Sequence, residues 1–224
     1  MNNEIYIITG ASDGLGKQLA LSLIKDGKAV VCLSRSKPDY DGVEWIQTDL
    51  TDRKSLDDAS AKLNYDKRKI SALINNAGVM SAKKFDQPDL EDITNMMDVN
   101  ISGHIYLTSK LGVKLNSDES DIVNISSTVG TKGVKDQQAY TASKWAVRGF
   151  SESLREQFKD TKLRVISFCT GGMNNSMGEK VGIPMLDPQN WMNPKDVAEF
   201  LKAILYLPKS MEVSDVVINR KKKI

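Results

Sequence analysis

The segment YTASK at 140–144 contains a tyrosine and a lysine that are four residues apart. If the segment is helical, the two side chains lie next to each other on one face of the helix. A tyrosine has an ordinary pKa of about 10 and is a weak base at neutral pH. A nearby ammonium favours the phenolate and lowers that pKa, so the pair could exchange a proton near neutral pH. The same five residues could also be one face of an ordinary amphipathic helix.

A glycine-rich segment, TGASDGLG at 9–16, lies between the first strand-like run and the first helical pattern. Gly10, Gly14 and Gly16 permit a tight turn, a close approach of backbone to a ligand and close packing of helix on strand. The amides at the start of the helix, together with its dipole, favour an anion. The spacing differs from both G-x-G-x-x-G and the Walker A pattern, so this loop alone does not settle the class of nucleotide.

The second strand-like run ends in LSRS at 33–36, where Ser34 and Arg35 stand without a carboxylate. In dinucleotide-binding folds an acidic residue at this strand end binds the free ribose hydroxyls, whereas a nearby arginine suits a 2′-phosphate. The sequence therefore predicts NADP(H) as the preferred cofactor, with NAD(H) as the alternative.

Charge and hydropathy limit the partners of this chain. Of its 224 residues 27% are charged, and 31 basic against 29 acidic residues leave a net charge of +2. This balance argues against nucleic acid as the main partner. No apolar run approaches the roughly 20 residues that span a bilayer, and the first residues do not follow a signal-peptide pattern. The sequence thus predicts a cytoplasmic protein without a membrane segment.

The residues that commonly bind transition metals are few. Cys32 and Cys169 each lie in an apolar strand-like run, which favours buried free thiols in a reducing compartment. One histidine and two cysteines cannot form an all-His/Cys zinc site, and no metal is predicted. His104, the single histidine, is predicted to be packed or exposed on its helix without a catalytic partner.

Apolar strand-like runs alternate with helical patterns along the chain, and a long helix is predicted over roughly 89–115. The runs are continuous rather than alternating, which is typical of a parallel sheet covered on both faces. The sequence predicts one α/β domain over 1–224, a doubly wound (Rossmann) and mostly parallel sheet of about seven strands with helices on both faces. The least regular segment, 174–193, is predicted to be a substrate loop or lid.

Six short motifs follow one another along the chain, and their order and spacing can be compared with known families. They are TGASDGLG at 9–16, TDL at 48–50, NNAG at 75–78, VNISG at 99–103, NISS at 124–127 and YTASK at 140–144. With these motifs the chain resembles the classical short-chain dehydrogenase/reductase (SDR) family along nearly its whole length. Each motif alone is weak, whereas six in the correct order are a strong signal.

The resemblance implies a set of catalytic residues: Asn100, Ser127, Tyr140 and Lys144. Tyr140 follows Ser127 by 13 residues, the usual spacing of the family, which favours Ser127 over Ser126. The implied reaction transfers a hydride between nicotinamide and a small carbonyl or alcohol substrate. Tyr140 would exchange the proton and Ser127 would hydrogen-bond the substrate oxygen. Lys144 would hold the nicotinamide ribose, and Asn100 would support a water-linked proton path to it.

The resemblance also implies a cofactor site and a homo-oligomer, either a dimer or a tetramer. Asp49 would lie beside the adenine, and NNAG would pass close to the cofactor. The implied cofactor-binding residues are Gly10, Ser12, Gly14, Leu15, Gly16, Ser34, Arg35, Asp49, Leu50, Asn76, Ala77, Gly78, Tyr140, Lys144, Gly171 and Met173.

The sequence departs from the family pattern at four places. Thr170 stands where the family usually has a proline, and Asn175 or Ser176 replaces a frequent threonine. Asp13 occupies a position that often carries a basic residue in NADP(H)-preferring members, which runs against that preference. The ending VVINRKKKI lacks the glycine-rich terminus of many tetrameric members, so a dimer is at least as well supported as a tetramer.

Two other functions fit parts of the pattern. An NADP(H)-binding sensor without turnover could discard the tyrosine and the lysine, so the complete set of four catalytic residues disfavours it. An epimerase or dehydratase on the same fold usually has a larger C-terminal substrate part, for which 224 residues leave little room.

Overall fold

The structure is a computed structural model that describes residues 3–81, 83, 86–87, 89–177 and 191–221. Within this part of the chain, seven parallel strands form one sheet. The strands are β1 (Glu4–Thr9), β2 (Ala29–Ser34), β3 (Val43–Gln47), β4 (Lys69–Asn75), β5 (Asp121–Ser127), β6 (Arg164–Thr170) and β7 (Asp215–Ile218).

Helices connect the strands and cover the sheet. They are α1 (Gly14–Lys25), α2 (Arg53–Tyr65), α3 (Leu90–Met97), α4 (Gly103–Ser117), α5 (Gln138–Phe158) and α6 (Pro194–Leu205), with a π-helical turn at Asp98–Ser102 and a 3₁₀ turn at Thr128–Gly130.

Both faces of the sheet are buried, which explains the continuous apolar runs of the sequence. Along β1, Tyr6 and Ile8 pack into the core that α1 and α6 cover, and Ile5 and Ile7 pack into the core on the opposite face. On that opposite face Leu111 of α4 is fully buried. The predicted doubly wound α/β fold is confirmed, and every described strand pair is parallel. Cys32 and Cys169 are buried free thiols, as predicted.

The strand order is β3-β2-β1-β4-β5-β6-β7, so the direction of winding reverses between β1 and β4. Ligands of open α/β sheets bind outside the carboxyl ends of the strands at such a switch point. The glycine-rich segment follows β1, and the NNAG segment begins at the end of β4. The topology therefore places both segments at the same edge of the sheet.

The long helical stretch predicted over roughly 89–115 is confirmed, and it runs without a break from Leu90 to Ser117. It consists of α3, the π-helical turn at Asp98–Ser102 and α4. The buried side chain of Asn100 lies in this turn and hydrogen-bonds to the backbone of Val79. A single π-helical turn widens the helix locally, and such turns are frequent at functional sites.

The predicted lid at 174–193 is described only at its two ends, and 178–190 lies outside the described residues. The ends meet, because the Asn174 amide donates to the Met192 carbonyl oxygen at 2.9 Å and the Met192 amide donates to the Gly172 carbonyl oxygen at 3.3 Å. The lid itself stays a prediction. No described helix has both the length and the apolarity that a bilayer crossing requires.

Candidate active site

A cleft of about 630 Å³ runs along the carboxyl ends of β1, β2, β4, β5 and β6. This volume lies in the range of small-molecule and cofactor sites. The predicted site residues that line it are Gly10, Ser12, Gly14, Leu15, Ser34, Arg35, Asp49, Leu50, Asn76, Ala77, Gly78, Ser127, Tyr140, Lys144, Gly171 and Met173. Gly16 and Asn100 are not among the residues that line it.

The glycine-rich loop turns sharply into α1 at one wall of this cleft. Gly10 has a φ of +67° and lies against Ala77, where a Cβ would come within 3.0 Å of the Ala77 Cα. The carboxylate of Asp13 accepts a hydrogen bond from the Gly14 amide at 2.7 Å and caps α1. Asp13 also accepts a hydrogen bond from the Ser176 hydroxyl, so the loop is joined to the segment after β6.

Gly16 acts through packing rather than as part of the cleft wall. A Cβ at Gly16 would lie 2.5 Å from the Asn76 side-chain nitrogen and 2.6 Å from the Gly10 carbonyl oxygen. That nitrogen donates to the carbonyl oxygens of Thr9 at 2.9 Å and Gly10 at 3.2 Å. The absence of a side chain at Gly16 therefore lets α1, the glycine loop and the NNAG segment meet.

The second wall of the cleft is formed after β2 and β3. The Ser34 hydroxyl donates a hydrogen bond to the Ser36 carbonyl oxygen at 2.7 Å. Arg35 is exposed at the cleft and forms no ion pair with any residue that the structure describes. Asp49 accepts hydrogen bonds from the backbone and the side chain of Thr51. A cation thus stands where the second strand ends, and the neighbouring carboxylate is already partnered.

Ser127, Tyr140 and Lys144 converge at the inner end of the cleft. Ser127 is the last residue of β5, Tyr140 is the third residue of α5, and Lys144 lies one turn further along α5. The Lys144 ammonium lies 5.8 Å from the centre of the Tyr140 ring and donates to the Ile125 carbonyl oxygen at 3.0 Å. The structure thus brings these three predicted residues together.

The pKa values of this pair differ from the sequence-based expectation. Burial raises the pKa of Tyr140 to about 12, and the hydrogen bond with Ser127 opposes this rise. Burial lowers the pKa of Lys144 to about 8, because the charged form loses its hydration. The sequence-based expectation was a lowered pKa for Tyr140, whereas in the protein by itself desolvation of the phenol dominates and raises that pKa.

Asn100 lies behind the cleft and holds its neighbours in place. Its side chain accepts from the Val79 amide at 2.7 Å and donates to the Val79 carbonyl oxygen at 2.9 Å. The same amide nitrogen donates to the Ser143 hydroxyl oxygen at 3.0 Å. Ser143 in turn donates to the Tyr140 carbonyl oxygen at 2.8 Å. This chain of hydrogen bonds links the π-helical turn to the first turn of α5.

Several residues of the site could not be found from chemistry-bearing motifs. Ser143 is one of the variable positions of the Y-x-x-x-K pattern, and only its hydrogen-bonding partners show its part in the site. Apolar and amide side chains also line the cleft that contains Tyr140, namely Val134, Gln137, Met177 and Trp191. The guanidinium of Arg220 lies 4.8 Å from the centre of the Trp191 ring. Met177 and Trp191 belong to the segment predicted from the sequence as a substrate lid, whereas Val134 and Gln137 carry no pattern that indicates the site.

Comparison with known proteins places this chain in a family. The family model of the short chain dehydrogenases matches residues 4–184. An uncharacterized oxidoreductase of Staphylococcus saprophyticus subsp. saprophyticus is 28% identical over 236 residues, and the match covers 97% of each chain.

Solved structures share the fold closely. The closed form of serine dehydrogenase complexed with NADP+ has a TM-score of 0.87 and 25% identity, over 96% of this chain and 94% of that one. The ligand-free aldohexose dehydrogenase of Thermoplasma acidophilum also has a TM-score of 0.87, at 24% identity over 97% and 93% of the two chains. The family model spans most of the sequence, so the protein belongs to the short chain dehydrogenase family and is an oxidoreductase of alcohols and carbonyl compounds.

Proposed function

We propose that the protein is an NADP(H)-dependent oxidoreductase that interconverts a small carbonyl compound and its alcohol. The observation that carries this proposal is the convergence of Ser127, Tyr140 and Lys144 at the inner end of a cleft that begins at the glycine-rich loop. The four catalytic and sixteen cofactor-binding residues predicted from the sequence keep their proposed roles. Gly16 and Asn100 act in this proposal through their neighbours.

The described residues fit a dinucleotide. The N-terminus of α1 opens to the cleft through Ser12, Gly14 and Leu15, and helix N-termini favour phosphate groups. Arg35 supplies a cation for a 2′-phosphate, and no carboxylate stands at the end of β2 to favour a free ribose hydroxyl. Asp13, the acidic residue of the loop, is engaged as the cap of α1 and by Ser176. The solved serine dehydrogenase, which contains NADP+, supports the same cofactor, and NAD(H) is the alternative.

Tyr140 is the proposed acid of the reduction. With a pKa of about 12 the phenol is protonated at neutral pH, which is the form that can donate a proton to a substrate oxygen. Bound NADPH supplies the hydride for the carbonyl carbon. Ser127 donates a hydrogen bond to the same oxygen and stabilises the negative charge that develops there. The phenol of the free protein is therefore in the protonated form that carbonyl reduction requires.

Lys144 is the proposed source of positive charge beside the reacting phenol. Its pKa of about 8 leaves most of the side chain charged at pH 7, although it is buried. The hydrogen bond to the Ile125 carbonyl oxygen fixes the ammonium, and Asn100 holds the adjoining turn at Val79. A hypothetical Cβ on Gly78 would lie 3.3 Å from the Asn100 oxygen and 3.4 Å from the Lys144 nitrogen, so both groups pack around this residue.

The substrate is proposed to be a small and partly apolar molecule, because Val134, Met177 and Trp191 line the same cleft as Tyr140. A cytoplasmic location and a homodimer or homotetramer remain predictions from the sequence.

The proposed function is tested by a screen for NADPH oxidation over aldehydes, ketones, quinones and short acyl thioesters. We expect at least one class to give turnover that the Tyr140→Phe variant lacks, and NADPH to be preferred over NADH. If NADPH binds while no class is reduced by the wild type, the protein is better described as a nucleotide sensor. If neither nucleotide binds, the cofactor assignment is wrong as well.

A further inference from the structure

His104 is a fully enclosed polar residue that the proposed chemistry does not use. It lies in the first turn of α4, four residues after Asn100, and only 4% of its surface is exposed. Its Nδ1 is 3.3 Å from the Asn100 carbonyl oxygen, and its Nε2 is 3.0 Å from the Thr9 hydroxyl oxygen. Thr9 is the last residue before the glycine-rich loop. The imidazole therefore bridges the π-helical turn and the strand that leads into the cofactor cleft.

The neighbours of His104 determine which ring nitrogen carries the proton. The Asn100 carbonyl oxygen can only accept a hydrogen bond, so Nδ1 must be the donor. The Thr9 hydroxyl oxygen already accepts hydrogen bonds from the Asn76 amide at 2.9 Å and the Ala77 amide at 3.0 Å. Its own proton is therefore directed to Nε2, or more distantly to the Ile74 carbonyl oxygen at 3.4 Å. All the hydrogen-bonding groups of Asn100, His104 and Thr9 in this chain of bonds find a partner only when the ring is neutral and protonated on Nδ1.

The surroundings also keep the ring neutral. Burial lowers the pKa of His104 to about 3, and the positive charge of Lys144 acts in the same direction. A protonated ring would direct a second N–H toward Thr9, whose oxygen already accepts two amides. His104 thus offers two fixed hydrogen bonds rather than an exchangeable proton.

We propose that His104 is a positioning residue that fixes the Asn100 turn to the Thr9–Ala77 edge of the cofactor cleft. The Nδ1 bond orients the Asn100 carbonyl, and the Nε2 bond passes through Thr9 to the two amides of the NNAG segment. The Asn100 side chain continues this connection through Ser143 to the backbone of Tyr140. One imidazole thereby couples the NNAG segment of the cofactor cleft to the first turn of α5. The kinetic consequence of this coupling rests on the proposed function.

A spectroscopic test is independent of the substrate. Because the chain contains one histidine, its ring nitrogen resonances need no assignment by mutation. In ¹⁵N NMR of the whole protein we expect a neutral ring protonated on Nδ1 that does not titrate between pH 5 and 9. A ring protonated on Nε2, or one that titrates near the ordinary pKa of about 6.5, would overturn the proposal. Addition of NADP+ should shift these resonances, although His104 does not line the cleft; saturation with NADP+ without such a shift contradicts the coupling.

A kinetic test uses two variants of different chemistry. His104→Leu removes both hydrogen bonds and should lower kcat about tenfold, because small displacements of catalytic groups are costly to the rate. Its KM should stay within about twofold, since no substrate contact is lost. His104→Asn restores a donor near the Nδ1 position and should recover most of kcat. Both are assayed below their melting temperatures, with the substrate found in the NADPH screen.

The outcomes separate three cases. If His104→Leu has a lower melting temperature but the kcat and pH profile of the wild type, the residue only fills space and the proposal fails. If His104→Asn is as slow as His104→Leu, the bond to Asn100 is not what matters and the proposal also fails. If the wild type turns over no substrate, the proposed function fails, whereas the NMR experiment still decides the tautomer and the coupling to NADP+.

Discussion

Lys144 places its ammonium 5.8 Å from the centre of the Tyr140 ring, while its hydrogen bond at 3.0 Å goes to the Ile125 carbonyl oxygen. The charge is therefore held by the backbone of β5. Burial then dominates both groups, and it raises the pKa of the phenol while it lowers that of the ammonium. The consequence is that Tyr140, the proposed acid, is a protonated phenol in the resting protein.

Replacement of Tyr140 by Phe should reduce turnover at least about 100-fold, the scale of general acid catalysis, and leave NADPH affinity nearly unchanged. The rate is measured by NADPH oxidation and the affinity by fluorescence titration. Tyr65→Phe is the matched control, because this tyrosine is 87% exposed on α2 and should behave like the wild type. Near-normal turnover by the Tyr140 variant would sink the proposed mechanism.

Replacement of Lys144 by Met should change how stability depends on pH. The pKa of Lys144 is about 8 in the folded protein, against an ordinary value of 10.5. Between these values the unfolded chain binds more protons than the folded one, so wild-type stability gains from Lys144 as pH rises. The free energy of unfolding of Lys144→Met minus that of the wild type should therefore decrease between pH 8 and 10.

This dependence is measured by urea unfolding at several pH values. Lys62→Met, an exposed substitution in the last turn of α2, serves as the control and should show no such trend. A constant difference between Lys144→Met and the wild type from pH 7 to 10 would mean that the lysine titrates normally.

Replacement of Arg35 by Ala should weaken NADPH binding far more than NADH binding. Loss of one charge-assisted hydrogen bond to a phosphate corresponds to about 1.5–3 kcal/mol, or at least tenfold in Kd. Titration of both nucleotides measures the effect, and Arg53→Ala on the exposed start of α2 is the control. If Arg35→Ala weakens the binding of NADPH and NADH equally, Arg35 does not bind the 2′-phosphate.

Replacement of Gly16 by Ala should weaken cofactor binding about tenfold and lower the melting temperature. The added methyl would meet Asn76 and the Gly10 carbonyl oxygen at less than 3 Å. Gly149→Ala in α5 is the contrasting variant, since its new methyl meets nothing within 4 Å. It should stabilise the protein by about 0.5–1 kcal/mol, because alanine favours a helix interior. Equal behaviour of the two variants would show that the packing at Gly16 is unimportant.

The fold could be predicted because its main determinants are local and periodic. Apolar runs such as the one from Ile5 to Ile8 are continuous only when both faces of a sheet are covered. The motifs also predicted most of the cleft, since glycines and strand ends are recognisable by spacing. Arg35 and Ser127 lie at the cleft for this reason.

Properties that depend on burial and on distant contacts could not be predicted. The pKa of Tyr140 depends on how deeply the phenol is enclosed, and the Y-x-x-x-K spacing carries no information on that depth. The π-helical turn around Asn100 depends on backbone groups at Val79, about twenty residues away. The bridge formed by His104 requires Thr9, which lies 95 residues earlier in the sequence.

The pairing of Met173 with Met192 has a consequence for how this protein could acquire new substrates. Residues 172–174 and Met192 are thus held side by side, and Met173 and Trp191 line the cleft. Closing a longer or shorter loop at a fixed pair of ends changes the entropy cost only slowly with length. We therefore expect insertions and exchanges between the two methionines, in the segment proposed as a substrate lid, to be tolerated while β6, α6 and the proposed proton-transfer residues keep their places.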